Sequence, residues 1–236
     1  MANKKVVVLL SGGLDSATCF FEACAHSFDV YPLSFDYNQR HKKELEAAKL
    51  LVEAANRRWA YELYALPRRE HRVIKLDLGN SASALTRPDI DVPTDRDESK
   101  MSEDIPVTYV PARNSVFLSL AFGYAESIGA SEVWTGINAV DYSGYPDCRP
   151  EFAAAMEVAL NLGSKRVQNK EWTNIHAPLI YMSKADIARR ASSLDVPIHM
   201  TWSCYQGGEK PCGVCDSCVI RDKALKEAGF AHYASR

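Results

Sequence analysis

The sequence predicts an α/β fold, a doubly wound, mostly parallel five-stranded sheet with a cysteine-bearing loop and helix at its C-terminal end. Three observations predict it. The apolar run Val6 to Leu10 has no polar break and reads as a strand buried on both faces, as in a parallel sheet. Strand-like and helix-like stretches then alternate along the chain, the pattern that puts helices on both faces of such a sheet. Finally, Cys204, Cys212, Cys215 and Cys218 crowd into one short segment.

The first strand leads directly into Ser11-Gly12-Gly13-Leu14-Asp15-Ser16, and Ala17 to His26 is a helix-compatible run without Gly or Pro. Strand, glycine-rich turn and helix start make an anion site. The glycines allow close backbone approach, while the free N–H groups and dipole of the first helical turn favour negative charge. The second strand is expected at Val30 to Asp36, with Pro32 at an irregularity. Arg40 and His41 follow, within reach of a ligand at the carboxyl edge of the sheet, and Lys42 to Arg58 is an amphipathic helix built on Leu45, Ala48, Leu51, Val52 and Ala55. His71 to Leu78 alternates as a third strand with one wet face. Residues 79–108, polar and with three prolines, read as a mobile flap over the site. Arg113 to Ser127 is a helix closed by Gly129 at C′. Glu132 to Asn138 is the fourth strand, Pro150 opens another helix from its N1 position, and His176 to Ile180 is the fifth strand. Ser183 with Asp186 three residues on begins a further helix in capping-box style. Ligands then belong at the carboxyl ends of the strands.

The chain has 236 residues, 47% hydrophobic and 25% charged, enough for a large core in one unit spanning 1–236. A formal charge of -2 and a pI of about 6.3 give no broad basic surface for nucleic acid. No apolar run reaches membrane-spanning length, and the N-terminal one is too short for a secretory leader, so a cytoplasmic protein without a membrane or direct nucleic-acid partner is expected. The four cysteines form C-x7-C-x2-C-x2-C, with Gly207, Gly208 and Gly213 available for tight turns. That spacing suits one structural, tetrahedral zinc ion. An iron–sulfur cluster is the rival, but a ferredoxin-like run would need its next cysteine at Asp222. Cys19 and Cys24 read as core; Cys148 sits in a loop, where packing outweighs a nucleophilic role.

The turn has neither a Walker A lysine nor a GxGxxG pattern. SGGLDS resembles instead the PP-loop of the N-type ATP pyrophosphatases, in which the loop grips the pyrophosphate of ATP while a substrate oxygen attacks the α-phosphorus. This resemblance implies an adenine nucleotide α-hydrolase-like fold, ATP as co-substrate and Mg²⁺. It implies a nucleotide-binding set of Leu10, Ser11, Gly12, Gly13, Leu14, Asp15 and Ser16, continued by Ala17, Thr18, Cys19 and Phe20. Asp15 either caps the helix or holds Mg²⁺. The stretches QRHKKEL, ALTRPDIDVP, IPVTYVPARN, GINAVDYSGYPDCRPEF and TWSCYQGGEKPCGVCDSC are together similar to the 7-cyano-7-deazaguanine synthase family. Departures are Asn38 and Ala112 where glycine is usual and a longer passage from Arg57 to Arg69. Asn tolerates the left-handed region, so the turn at 38 survives.

The family resemblance implies a ligase in queuosine biosynthesis that converts 7-carboxy-7-deazaguanine, ammonia and ATP to the nitrile, releasing AMP and pyrophosphate. In its light Lys184 is a candidate phosphate clamp, and Arg113 or Arg149 a bidentate partner for the substrate carboxylate. Asp141 or Asp147 is a candidate acceptor for ring N–H groups and Tyr142 or Tyr145 a stacking surface; Asn138 belongs to the same substrate loop. A homodimer is a further expectation. The rivals are a tRNA sulfurtransferase or other amide ligase of the PP-loop class, and a zinc-stapled nucleotide-binding regulator without catalysis.

Overall fold

The computed structural model describes residues 3–26, 28–40, 42–62, 69–79, 81–96, 101, 105–140 and 144–235. Five strands form one sheet: β1 (Lys5–Leu9), β2 (Asp29–Asp36), β3 (Arg72–Lys75), β4 (Glu132–Trp134) and β5 (Asn174–His176). The order is β3-β2-β1-β4-β5 and every pairing is parallel. From β1 the chain steps outward through β2 to β3, then returns to the other side of β1 to lay down β4. This reversal opens a crevice at the carboxyl ends of β1 and β4.

The described helices are α1 (Leu14–Ala25), α2 (Lys43–Glu62), α3 (Arg113–Ile128), α4 (Pro150–Leu162), α5 (Lys184–Ser193) and α6 (Asp216–Glu227). Alternation along β1 divides the core. Val6 and Val8 pack with Phe20, Phe21, Leu51, Ile187 and Leu225 of α1, α2, α5 and α6. Val7 and Leu33 pack on the other face with Leu118, Ala121 and Ala125 of α3. Each such fully buried Leu or Phe contributes about 1.5–3 kcal/mol, which is why β1 carries no polar residue between its ends.

Caps expected from sequence are in place. Gly129 ends α3 with φ +70, Pro150 is N1 of α4, and the Ser183 hydroxyl accepts from the Asp186 N–H at 3.1 Å. Asn38 and Ala112 both adopt left-handed backbone, φ +65 and +58.

Several boundaries move. α1 starts at Leu14, and β4 stops at Trp134 instead of Asn138. β5 is Asn174–His176 instead of His176 to Ile180. Pro178 has no N–H to give a ladder, and the chain turns there, with the Ile180 N–H donating to Ala177 O and the Met182 N–H to Leu179 O. The 79–108 segment, expected as a mobile flap over the site, does line the cavity with Leu85, Met101, Pro106 and Thr108, and it is packed in its described part. Ala84, Leu85, Val92 and Met101 are buried. Thr94 bridges Cys215, and Arg96 pairs with Asp216 at 2.9 Å. Its apolar residues are scattered among polar ones and lack the period that announces burial.

Candidate active site

The turn after β1 is shaped by its neighbours. Gly12 has φ +98, and a Cβ there would lie 2.1 Å from Glu44 O at the start of α2. The Gly12 carbonyl accepts from the Trp202 N–H at 2.9 Å. Ser16 Oγ accepts from the Ser11 N–H (3.1 Å) and lies 2.9 Å from Ser11 Oγ. Gly13 is the N-cap of α1 and provides no side-chain cap. The first amides of α1 therefore keep the capacity to bind an anion.

From the far side, Gly136 after β4 packs on the loop backbone; a Cβ there would meet Ser16 N at 2.9 Å and Asp15 C at 3.0 Å. Asp15 is ion-paired with Lys184, the first residue of α5. The acid in the anion site thus holds a lysine at its rim. Asn138 supports this end: its Nδ2 donates to Leu179 O (2.8 Å) and Met182 O (2.7 Å), fixing the turn that precedes Ser183 and Lys184.

A cavity of about 340 Å³ joins the loop to a second, aromatic end. Its lining includes Ser11, Gly13, Asp15, Ser16, Lys184, Asn138, Arg113, Tyr37, Tyr145 and Tyr205. The Arg113 guanidinium lies 5.8 Å from the Tyr145 ring centre. Among the described residues no carboxylate pairs with it. Burial works against its charge, the tyrosine oxygens around it and a hydrogen bond with Tyr37 favour it, and as an arginine it stays protonated. Burial likewise raises Tyr37 and Tyr205, so both are neutral phenols at ordinary pH. Tyr145 is anchored by Thr108, 2.8 Å between hydroxyl oxygens.

The candidates from sequence separate here. Arg113 lines the cavity, whereas Arg149 is exposed at the N-cap of α4 and does not. Asp147 is buried beside the cavity lining, its Oδ2 accepting from the Asn114 N–H in the first turn of α3 (3.4 Å). Asp141, Tyr142 and His41 lie outside the described residues. Arg40 donates to Arg87 O and Ile90 O, holding the 79–96 segment. Leu10, Leu14 and Ser16 line the cavity, but Ala17, Thr18, Cys19 and Phe20 do not. Each is fully buried, because α1 past its first turn is surrounded by the core on every side at these positions. Cys148 lines the cavity; burial, with Asp147 nearby, pushes its thiol up to about 11.

The four C-terminal cysteines converge, their Sγ atoms all within 4.8 Å of one another. Main-chain N–H groups of Val214 and Cys215 donate to Cys212 Sγ, and that of Cys212 to Cys204 Sγ. Hydrogen bonds from Cys215 and Cys218 hold the Cys204 thiol well below its ordinary range. Four sulfurs with amide donors aimed at them fit a thiophilic tetrahedral metal. Gly207 and Gly213 take positive φ in the chelating loop. Cys215 is the N-cap of α6 and Cys218 lies in its first turn, so the cluster fixes that helix, whose Arg221 also lines the cavity. Arg221 carried no motif signal, and Gly136, though it opens the stretch GINAVDYSGYPDCRPEF, was not singled out. Trp202 joins the two centres, its N–H on the Gly12 carbonyl and its indole N–H on Cys204 O at 3.0 Å.

Comparison with known proteins identifies the family. A family model described as Queuosine biosynthesis protein QueC matches residues 5–229. The 7-cyano-7-deazaguanine synthase of Acetivibrio thermocellus is 53% identical over 228 residues, 96% of this chain and 95% of that protein. Those of Trichodesmium erythraeum and Thermoplasma volcanium are 49% and 50% identical, over 96% and 97% of this chain and 97% and 89% of theirs. Among solved structures, a 4-thiouridine synthetase in complex with RNA and bound ATP superposes with TM-score 0.50 and 17% identity, over 98% of this chain and 52% of that one. At that identity the likeness is one of fold. With a family model spanning nearly the whole chain and relatives about half identical to it, this chain belongs to the QueC family of queuosine biosynthesis proteins.

Proposed function

We propose that the protein converts 7-carboxy-7-deazaguanine, ammonia and ATP to 7-cyano-7-deazaguanine, releasing AMP and pyrophosphate. The observation that carries the reading is one cavity with uncapped helix amides and Lys184 at one end and, at the other, a tyrosine-ringed Arg113 that pairs with no carboxylate among the described residues. One end suits a polyphosphate and the other an anionic planar ring.

A carboxylate cannot expel oxide to an amine. Its oxygen attacks the α-phosphorus, pyrophosphate leaves, and the acyl adenylate gives the amide when ammonia displaces AMP. A second adenylation on the amide oxygen lets AMP depart to leave the nitrile. Two anions must meet in both binding and reaction, so fixed donors aimed at the leaving group matter most. Ser11, Gly12, Gly13, Asp15 and Ser16 form the pyrophosphate cradle, and Lys184 neutralises it. Arg113 pairs with the substrate carboxylate side-on, and Tyr145 flanks the ring. Asp147, with Asp141 and Tyr142 of the same loop, completes the candidate set for the base edge. Mg²⁺ would accompany the nucleotide and help neutralise its phosphates, and Asp15, the carboxylate of the loop, would be the residue to hold it. Zinc is the metal we assign to the four cysteines. It would supply no chemistry to the reaction, since a zinc site closed by four thiolates is structural. The chain acts as one unit on small molecules in the cytoplasm, with no nucleic acid required and a homodimer as its assembly.

The test is pyrophosphate release measured with each reactant omitted in turn. Release that needs both 7-carboxy-7-deazaguanine and ammonium supports the reading. Release that needs neither, or that needs tRNA, rejects it.

A further inference from the structure

The peptide between Leu10 and Ser11 joins β1 to the loop, and both of its polar atoms are held. Its N–H donates to Ser16 Oγ at 3.1 Å. Its carbonyl accepts from the hydroxyl of Ser34 in β2 at 2.5 Å, and Ser34 is buried. A carbonyl cannot donate, so the one hydroxyl proton of Ser34 is committed to Leu10 O. Ser34 Oγ also lies 2.6 Å from Nε2 of His71, the half-buried residue just before β3. That contact is therefore an Nε2–H donating to Ser34 Oγ, which fixes the tautomer of the ring. Burial and the nearby Lys49 lower the pKa of His71, so the ring is neutral at neutral pH. The same order continues on the other side of the peptide. Ser16 Oγ donates to Gly13 O at 3.1 Å, so in its 2.9 Å contact with Ser11 Oγ it is the acceptor. Ser11 Oγ in turn accepts from the Gly13 N–H at 3.3 Å. One directed set of hydrogen bonds thus runs from the start of β3, two strands away, to the N-cap of α1.

We propose that His71 and Ser34 are positioning residues for the anion loop: they hold the Leu10–Ser11 peptide in the orientation from which Ser11 and Ser16 shape the turn before the α1 amides. Their effect on a ligand passes through the main chain of Leu10. The inference rests on the function proposed above and adds to it two residues outside the loop. Without the Ser34 hydroxyl, a buried carbonyl and an imidazole N–H lose this bond together, and the entrance to the loop relaxes to recover partners. An anion site depends on where its donors are fixed, so that relaxation is felt at the phosphates.

The test measures affinity for inorganic pyrophosphate by calorimetry, and KM for ATP and for 7-carboxy-7-deazaguanine. It compares wild type, Ser34→Ala, His71→Leu and His71→Gln, with melting temperatures alongside. Ser34→Ala and His71→Leu should each weaken pyrophosphate and raise KM for ATP about three- to tenfold, as expected for one buried hydrogen bond. KM for 7-carboxy-7-deazaguanine should hold. In the Ser34→Ala background His71→Leu should add nothing further, because the histidine acts through the serine. His71→Gln presents an amide N–H near the place of Nε2 and should recover most of the loss. In the wild type, which needs no variant to fold, ¹⁵N NMR should show His71 as a neutral ring protonated on Nε2. A proton on Nδ1, additive effects of the two substitutions, equal weakening toward both substrates, or a folded His71→Gln no better than His71→Leu overturns the assignment. Wild type that binds no pyrophosphate overturns the loop reading and this assignment with it, and an Nε2–H ring in that protein marks the failure as the loop's.

Discussion

Substituting Gly136 by Ala tests how the loop is held. The Cβ it introduces would lie 2.9 Å from Ser16 N, 3.0 Å from Asp15 C and 3.0 Å from Ser16 Cα. Comfortable contacts between such atoms are about 3.5 Å or more. All three atoms belong to backbone, so no side chain can rotate away; β4 and the loop must part by about half an ångström. Overpacking of this kind costs about 1–3 kcal/mol. For a chain of this size each 1 kcal/mol lowers the melting temperature by about 2–4 °C. The catalytic effect follows from geometry: a misplacement of about 1 Å costs on the order of a hundredfold, so half of that predicts about tenfold in kcat/KM for ATP. Differential scanning fluorimetry and a coupled pyrophosphate assay, run well below the shifted transition, read both numbers. Gly123→Ala is the control. Nothing lies within 4 Å of a Cβ there, and alanine inside a helix is worth about 0.5–1 kcal/mol over glycine. Gly136→Ala with wild-type melting and wild-type kcat/KM would refute the idea that β4 presses the loop into shape.

Three further outcomes are expected. Ala112→Gly relieves the left-handed backbone at the start of α3. Against a strain of about 1–2 kcal/mol stands the extra freedom of glycine in the unfolded chain, about 0.4–1 kcal/mol, so thermal melting should rise by a few degrees at most, and a fall contradicts the account. Cys148 has its thiol raised to about 11 by burial, so it is protonated throughout the neutral range. Cys148→Ser should stay within about tenfold of wild-type turnover, and alkylation should accelerate only above about pH 10; a kinetic ionisation near neutrality that vanishes in the variant would restore a nucleophilic role. Cys215→Ser removes one sulfur from the cluster and leaves a good N-cap residue on α6, so its effect reads the sulfur alone. Bound metal by elemental analysis and melting temperature should both drop, and proteolysis near Thr94, bridged to Cys215, should quicken. Full metal content would dismiss the four-cysteine site.

Much of this was legible in the residues, for physical reasons that differ by element. Val6 to Leu10 announced a strand buried on both faces because no polar side chain interrupts it, and the Gly-Gly pair after it announced a tight turn with close backbone approach. The cysteines were legible because so short a spacing lets four sulfurs converge on one point. Helix ends at Gly129, Pro150 and Ser183 were legible because caps act within a few residues. What stayed hidden depends on partners distant in sequence. Gly136 matters only because Asp15 and Ser16 press against it, and Arg221 reaches the cavity only because α6 packs over the loop. Arg113 and Arg149 look alike as letters, and only the crossing of α3 over the cavity separates them. The limits of β4 and β5 depend on which neighbours they pair with, while Leu85 and Val92 were masked by the polar residues around them.

The most direct measurement follows the oxygens. With both carboxylate oxygens of 7-carboxy-7-deazaguanine labelled with ¹⁸O, the account predicts that each nitrile formed is accompanied by two AMP molecules, each carrying one labelled oxygen, and by unlabelled pyrophosphate. Unlabelled AMP, or formation of ADP and phosphate, would contradict it.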